Sequence, residues 1–382
     1  MKILFFCDEY PPRPHGGIGT FVEAVTQGMH RRGHQVAVVG FGQSNDHADA
    51  SGISVITLAR NNFRYIGNLI TRFRLRAYLS ALSKAGKVDI IEVPDYMGML
   101  PFGVPGAKVV VRLHLSLTAI RENSKKTRSR GIAYYEKRTL AANPDWIAVS
   151  HSVLDLTKSI FSIAPKHSRV VYNPTPSVPD NLLPDLEAMP ASYILYAGQV
   201  SKRKGALVLA EAARDLLTKR SHLHLVYAGG PYPENESRQI SEQILEKIGP
   251  ELAGRVHFLG HVSRERVLAC MKQASVFVFP SSLEALPLVV LEAMNCGTPV
   301  VCTTIPPGPE MVEDGVNGLL ADPLFPEDFH NKIARILDDP VLANRLVTNA
   351  RKTIAEKFSL ETCLRATEEF YKECLRQECN SA

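Results

Sequence analysis

Short apolar runs, each followed by a helical stretch, recur along the whole chain and limit what it can fold into more than any other feature. KILFFC (2–7), QVAVVG (35–40), VDIIEV (88–93), KVVVRL (108–113), WIAVS (146–150) and RVVYN (169–173) read as strands buried on both faces. Helical stretches such as 18–32 and 66–85 lie between them. Strands alternating with helices predict a parallel sheet covered on both sides. The pattern then breaks: PTPSVPDNLLPDLEAMP (174–190) holds five prolines and little periodicity, as a linker does. It restarts with YILYAG (193–198), HLVYAG (224–229), VHFLG (256–260), VFVFP (276–280) and PVVCT (299–303). The fold class is therefore α/β, with two doubly wound, Rossmann-like domains over 1–180 and 181–357. The tail reads as an amphipathic helix over 358–375 with Ser359 as its N-cap, and Leu360, Leu364, Phe370, Tyr371 and Leu375 share a stripe that should dock on the body.

At 382 residues, 45% hydrophobic and 22% charged, the chain can bury two cores. No apolar run approaches the ~18 residues of a membrane-spanning helix. The opening MKILFFCDEY is too short in apolar residues for a signal peptide, so a cytoplasmic protein is expected. The seven cysteines form no C-x-x-C pair and no His lies at finger-like spacing from them, which argues against a zinc site or a disulfide framework.

The net charge of +5 is uneven. Residues 1–185 hold 23 Lys+Arg against 14 Asp+Glu, whereas residues 186–382 hold 21 against 25. The basic excess clusters in Arg60, Arg64, Arg72, Arg74 and Arg76, and again in Lys125, Lys126, Arg128 and Arg130. Such clusters suit an anionic partner, either an acceptor or a membrane surface, and equally suit a solvated helix face. No nucleic-acid-binding module accompanies them, so no nucleic-acid partner is expected.

In open α/β sheets ligands bind beyond the carboxyl ends of the strands. Two loops stand out there. The first, DEYPPRPHGGIGTF (8–21), runs from strand one into a helix through Gly16, Gly17 and Gly19. It could bring backbone N–H groups to a phosphate or sugar, or serve only as a turn. Its spacing is not G-x-G-x-x-G and no acid ends the second strand, which disfavours a dinucleotide site. The second is PSSLEALPLVVLEAMNCGTPVV (280–301). Glu284 follows a strand, Glu292 sits two turns into the next helix, and the helix N-terminus at 285–288 lies between them. That terminus suits a diphosphate, and the two carboxylates suit the hydroxyls of a ribose and a sugar.

The second loop resembles the E-x7-E motif of retaining glycosyltransferases of the two-domain GT-B fold, above all glycosyltransferase family 4. YPPRPHGGIGTF resembles that family's glycine loop, YAGQVSKRKGALVLAEA (196–212) its phosphate clamp, and PGPEMVEDGVNGLLADP (307–323) the strand-loop after the motif. The resemblance implies two domains facing across a cleft, with the end helix (358–382) crossing back to the first. It implies that Glu292 bonds the ribose and Glu284 the transferred sugar. The backbone of Ala285, Leu286 and Leu288 would meet the sugar or diphosphate, and Lys204 the diphosphate. His114 would line the sugar pocket, Gly16 and Gly17 would face the donor, and Val262, within 260–262, would border the base. The clamp departs from the pattern: Gln199 stands where the family has Arg, leaving Lys204, with Arg203 or Lys202, to supply the charge. Ala285 also replaces a usual Gly.

The implied activity is transfer of a sugar from a UDP- or GDP-sugar to a hydroxyl of a glycan or lipid-linked glycan. His114, Lys204 and Glu284 would act nearest the chemistry. No Asp-x-Asp is present to hold a metal beside the diphosphate, so no metal or other cofactor is expected. The basic residues Arg64, Arg72, Lys125 and Lys126 are the candidates for an anionic acceptor or for peripheral contact with a membrane. The alternatives are a sugar-nucleotide epimerase or hydrolase of the same architecture, or a non-catalytic nucleotide-sugar-binding protein.

Overall fold

A computed structural model describes residues 1–13, 16–42, 47–49, 51–60, 67–123, 129–175, 178, 189–230 and 234–379. The chain divides into two units, Met1–Pro174 with Ser359–Ala382, and Thr175–Phe358. The first division thus falls at the start of the proline-rich stretch 174–190, a little before the boundary expected at residue 180.

The first unit runs β1 (Lys2–Phe6), α1 (Gly17–Arg31), β2 (Gln35–Gly42), β3 (His47–Ala48), β4 (Ser54–Ala59), α2 (Gly67–Lys84), β5 (Ile90–Pro94), β6 (Lys108–Leu113), α3 (Leu117–Asn123), α4 (Arg130–Ala142), β7 (Asp145–Ala148), α5 (His151–Phe161) and β8 (His167–Val170). Its eight strands lie in the order β3-β4-β2-β1-β5-β6-β7-β8. All pairings are parallel except β3 with β4. The strand order reverses between β1 and β5, so the loops after these two strands flank the crevice where such sheets bind ligands.

The second unit runs β9 (Tyr193–Ala197), α6 (Ala206–Lys219), β10 (His224–Ala228), α7 (Glu234–Ile248), β11 (Val256–Gly260), α8 (Arg264–Gln273), β12 (Val276–Phe279), α9 (Leu288–Cys296), β13 (Val300–Thr303), α10 (Gly308–Met311), β14 (Leu319–Ala321), α11 (Pro326–Asp338) and α12 (Pro340–Lys357). Its six parallel strands lie in the order β11-β10-β9-β12-β13-β14. Here the reversal falls between β9 and β12. The apolar runs expected to be strands form its centre: Tyr193–Ala197 and Val276–Phe279 are buried throughout. Strands β3 and β4 were not among the expected strands, and β14 lies within the 307–323 strand-loop that the resemblance implied.

The last helix, α13 (Leu360–Cys379), belongs to the first unit. Ser359 caps it, its hydroxyl accepting from the Thr362 N–H at 3.2 Å. The expected stripe is present: Leu364, Phe370 and Tyr371 are buried in the first unit's core with Phe21, Val25 and Met29 of α1. A buried polar cluster reinforces this packing. Arg112 of β6 donates from Nε and Nη2 to the two oxygens of Glu92 on β5, at 2.8 and 2.9 Å. Tyr371 donates its hydroxyl to Glu92, and Arg112 also reaches Thr367 at 3.2 Å. Glu92 is thus a structural residue that ties β5 to β6 and α13. Its carboxylate holds the proton on Arg112 more firmly than usual despite burial.

Candidate active site

The loop after β9 (198–205) and the loop after β12 (280–287) carry the clamp and the paired glutamates, and they are tied together. Ser282 donates its N–H and its hydroxyl to the Arg203 carbonyl, each at 2.9 Å. Gly205 makes this approach possible. Its φ is +76°, and a Cβ there would lie 2.1 Å from the Pro280 carbonyl oxygen, so only glycine fits.

Three groups converge on one oxygen of Glu284. Lys204 Nζ lies 2.9 Å from Oε1 and Arg203 Nη1 3.4 Å from it, and the Ser281 hydroxyl donates to it at 2.8 Å. Arg203 is further fixed by donating to the Leu283 carbonyl at 2.7 Å. Lys204 also lies over the Phe279 ring, 5.4 Å from its centre. The clamp therefore presents two cations where Gln199 leaves the usual arginine absent. Lys202 is exposed and makes no ion pair with this carboxylate. The Gln199 carbonyl accepts from Tyr196 at 2.7 Å, which pins the start of the clamp loop.

Glu292 is buried on α9, with Oε1 held by Arg264 Nε at 2.9 Å. Burial raises its pKa and Arg264 opposes the rise. The helix starts at Leu288, so Glu292 sits one turn in rather than two, and Ala285, Leu286 and Pro287 form the loop before it. Pro287, the N-cap, gives the helix no side-chain cap. Ala285 and Leu288 are partly exposed, whereas Leu286 is buried. Val262 lies between the end of β11 and Arg264, where Ser263 caps α8 by accepting from the Arg266 N–H at 3.3 Å. Ser281 and Arg264 were missed at the sequence level. Each lies within a few residues of a motif position, but only the folded loops turn them onto the glutamates.

In the first unit, His114 follows β6. Its N–H donates to Asp95 Oδ1 at 2.8 Å, and its ring meets Phe21 edge-on at 5.0 Å. Burial, aided by the Arg112 charge, pushes its pKa down to about 3, so the imidazole is neutral at physiological pH. Burial pushes the Asp95 carboxyl up to about 8. Gly16 and Gly17 open α1, and a Cβ on Gly17 would meet nothing within 4 Å. Packing therefore does not explain the glycine at 17. The N-terminus of α1 is not vacant, because Glu9 Oε1 accepts from the Gly19 N–H at 3.0 Å. A carboxylate thus occupies part of what was read as a phosphate cradle.

Three arginines of the basic clusters, Arg60, Arg72 and Arg76, are engaged within the first unit, whereas Arg74 and Arg130 are exposed. Arg72, expected to face an anion, is 3% exposed. It donates to the carbonyls of Gly98, Asn68 and Met97 at 2.8, 3.0 and 2.6 Å and stacks 4.1 Å from the Tyr135 ring. The loop after β5 turns its carbonyls inward, and Arg72 is the donor that satisfies them. Arg60 pairs with Asp8, and Arg76 donates to the Gly103 carbonyl at 3.1 Å. Arg64, Lys125 and Lys126 lie outside the described residues. No helix among the described residues is long and apolar enough to cross a membrane.

Two family models match consecutive parts of the chain and together cover most of it. Glycosyltransferase Family 4 matches residues 15–176, and Glycosyl transferases group 1 matches residues 185–353. An uncharacterized glycosyltransferase of Methanocaldococcus jannaschii is 26% identical, over 97% of this chain and 98% of that protein. Among solved structures, sucrose-phosphate synthase from Thermosynechococcus elongatus shares the fold with a TM-score of 0.76, 21% identity and coverage of 100% of this chain and 99% of that one. Anabaena HepE, solved with UDP and glucose, has a TM-score of 0.75 and 20% identity, over 98% of this chain and 100% of that one. The alternating sheets, the paired glutamates and the two family models agree, and the chain belongs to glycosyltransferase family 4, a glycosyltransferase of the GT-B fold.

Proposed function

We propose that the chain transfers a sugar from a nucleoside diphosphate sugar to an acceptor hydroxyl with retention of anomeric configuration. The observation that carries this is the convergence of Lys204 and Arg203 on Glu284, beside the uncapped start of α9 and one turn before Glu292. In the reaction, negative charge grows on the leaving diphosphate as the sugar becomes oxocarbenium-like. Lys204, Arg203 and the N–H groups at the start of α9 stabilise that charge. Glu284 accepts hydrogen bonds from the sugar's hydroxyls, and Glu292 from the ribose. Neutral His114 offers a ring N–H to the sugar without adding a charge that would oppose the oxocarbenium. The leaving phosphate takes the acceptor's proton, so no protein base is required.

A glycan or lipid-linked glycan is the acceptor class, and UDP or GDP the carrier. HepE, solved with UDP, favours testing UDP-sugars first. The experiment is a thermal-shift screen of nucleotide sugars followed by transfer assays on the hits. Lys204→Ala and Glu284→Ala, each folded, should lose at least about a hundredfold in kcat, the scale of a lost transition-state contact. Near-full activity in either variant sinks the assignment. Epimerised donor in the absence of acceptor would instead support an epimerase.

A further inference from the structure

A cavity of about 410 Å³ lies within the first unit, beyond the carboxyl ends of β1 and β5. This is the point where strand order reverses. Its volume falls in the range of small-ligand pockets. Phe6, Ile18, Pro94, Tyr96, Met97 and Met99 supply apolar lining, and Tyr96 is exposed. The polar groups are Asp8, Glu9, Arg60, Asn68, Thr71 and Arg72.

Their charges are not equally available. Asp8 is engaged twice, by Arg60 and by the Phe41 N–H at 3.0 Å. Arg72 is turned to three backbone carbonyls. Glu9 is engaged on one side only: Oε1 takes the Gly19 N–H, and Oε2 has no protein partner among the described residues. The Gly19 bond orients the carboxylate. An anionic group entering this cavity would meet Glu9 Oε2, with Arg72 turned to backbone carbonyls and Arg60 paired with Asp8. A neutral ring bearing hydroxyls would hydrogen-bond to Glu9 and lay its C–H face on the apolar wall.

We propose that this cavity binds an uncharged polyhydroxylated ring, a sugar or a cyclitol, as the acceptor, and that Glu9 is the residue that binds its hydroxyls and selects against phosphorylated or carboxylated rings. The proposal rests on the glycosyl-transfer reading for the word acceptor. It reverses the expectation of an anionic acceptor that the arginine cluster suggested.

Binding to the whole chain is the readout, so loss or absence of transfer leaves the test standing. Ligand-observed NMR titrations would compare methyl α-glucoside and myo-inositol with glucose 6-phosphate and inositol phosphate, on wild type and on Glu9→Gln. Glutamine keeps an oxygen for the Gly19 N–H while removing the charge. The neutral rings should bind wild type at least about tenfold more tightly than their phosphate esters, the scale of one hydrogen bond to a charged group. In Glu9→Gln that gap should shrink at least about fivefold, with an unchanged melting temperature. Tighter binding of the esters to wild type, no binding of either neutral ring, or the same gap in Glu9→Gln would each overturn the proposal. A second variant, Glu9→Asp, keeps the charge, so the preference for neutral rings should persist; its loss would also count against Glu9.

Discussion

Asp95 shows what a single buried carboxyl can report. Oδ1 accepts the His114 N–H, and Oδ2 is buried without a partner, a state a charged carboxylate tolerates poorly. Burial accordingly raises its pKa to about 8. The folded state therefore holds a proton that the unfolded state releases near pH 3.9. Stability should fall as pH rises from about 4 to about 8, by at most about 1.4 kcal/mol per pH unit, and level off above that. Asp95→Asn keeps the acceptor for His114 and should lack this slope in urea unfolding measured across that range. His114 gives a companion expectation. With its pKa held at about 3, it should contribute no ionisation to the activity profile between pH 5 and 8. A proton-dependent step in that range that vanishes in His114→Gln would contradict the neutral role.

At the scale of elements, the site depends on two loops held at contact distance. Gly205→Ala would place a methyl against the Pro280 carbonyl and demand a left-handed backbone from alanine. The backbone cost alone is about 1–2 kcal/mol. The clamp loop should separate from the 280–287 loop, lowering the melting temperature by several degrees and weakening nucleotide-sugar binding more than any single side-chain contact would. Thermal unfolding with and without the nucleotide sugar checks both. The strands that carry these loops were legible, because Tyr193–Ala197 and Val276–Phe279 are continuous apolar runs. The motif glutamates and Lys204 were singled out through a family resemblance, and the fold brings Lys204 to 2.9 Å from Glu284. Strand β4, SVITLA, escaped because its burial alternates and its run is weakly apolar. Arg72 was misread because sequence shows a cation among cations and not the inward carbonyls of residues 97 and 98 that it answers. Glu9 and its cavity were invisible for the same kind of reason: residues 9, 60, 68 and 96 meet only through the order of the strands.

For the molecule as a whole, the Glu92–Arg112–Tyr371 cluster joins the first unit's sheet to its last helix. Glu92→Gln leaves the Arg112 charge buried without its counter-ion and should cost about 3–5 kcal/mol. The loss should fall on one unit. Denaturant unfolding should split into two transitions, the earlier one reporting Trp146, which lies in β7 of the first unit and is the chain's one tryptophan. Gly28 tests the same seam from α1, since a Cβ there would lie 2.5 Å from the Leu364 Cδ1. Gly28→Val should loosen α13 and expose it to limited proteolysis while Thr175–Phe358 stays protected.

Because α13 follows Thr175–Phe358 along the chain, the ribosome completes the second unit's sheet before it supplies the helix that closes the first unit's core. At roughly 5–20 residues per second, the first sheet waits on the order of 10–40 s with the α1 face uncovered and the Glu92–Arg112 pair lacking Tyr371. During that interval the nascent first unit presents an apolar face to the cell, and chaperone occupancy on stalled chains should be highest between the emergence of residue 174 and that of residue 379.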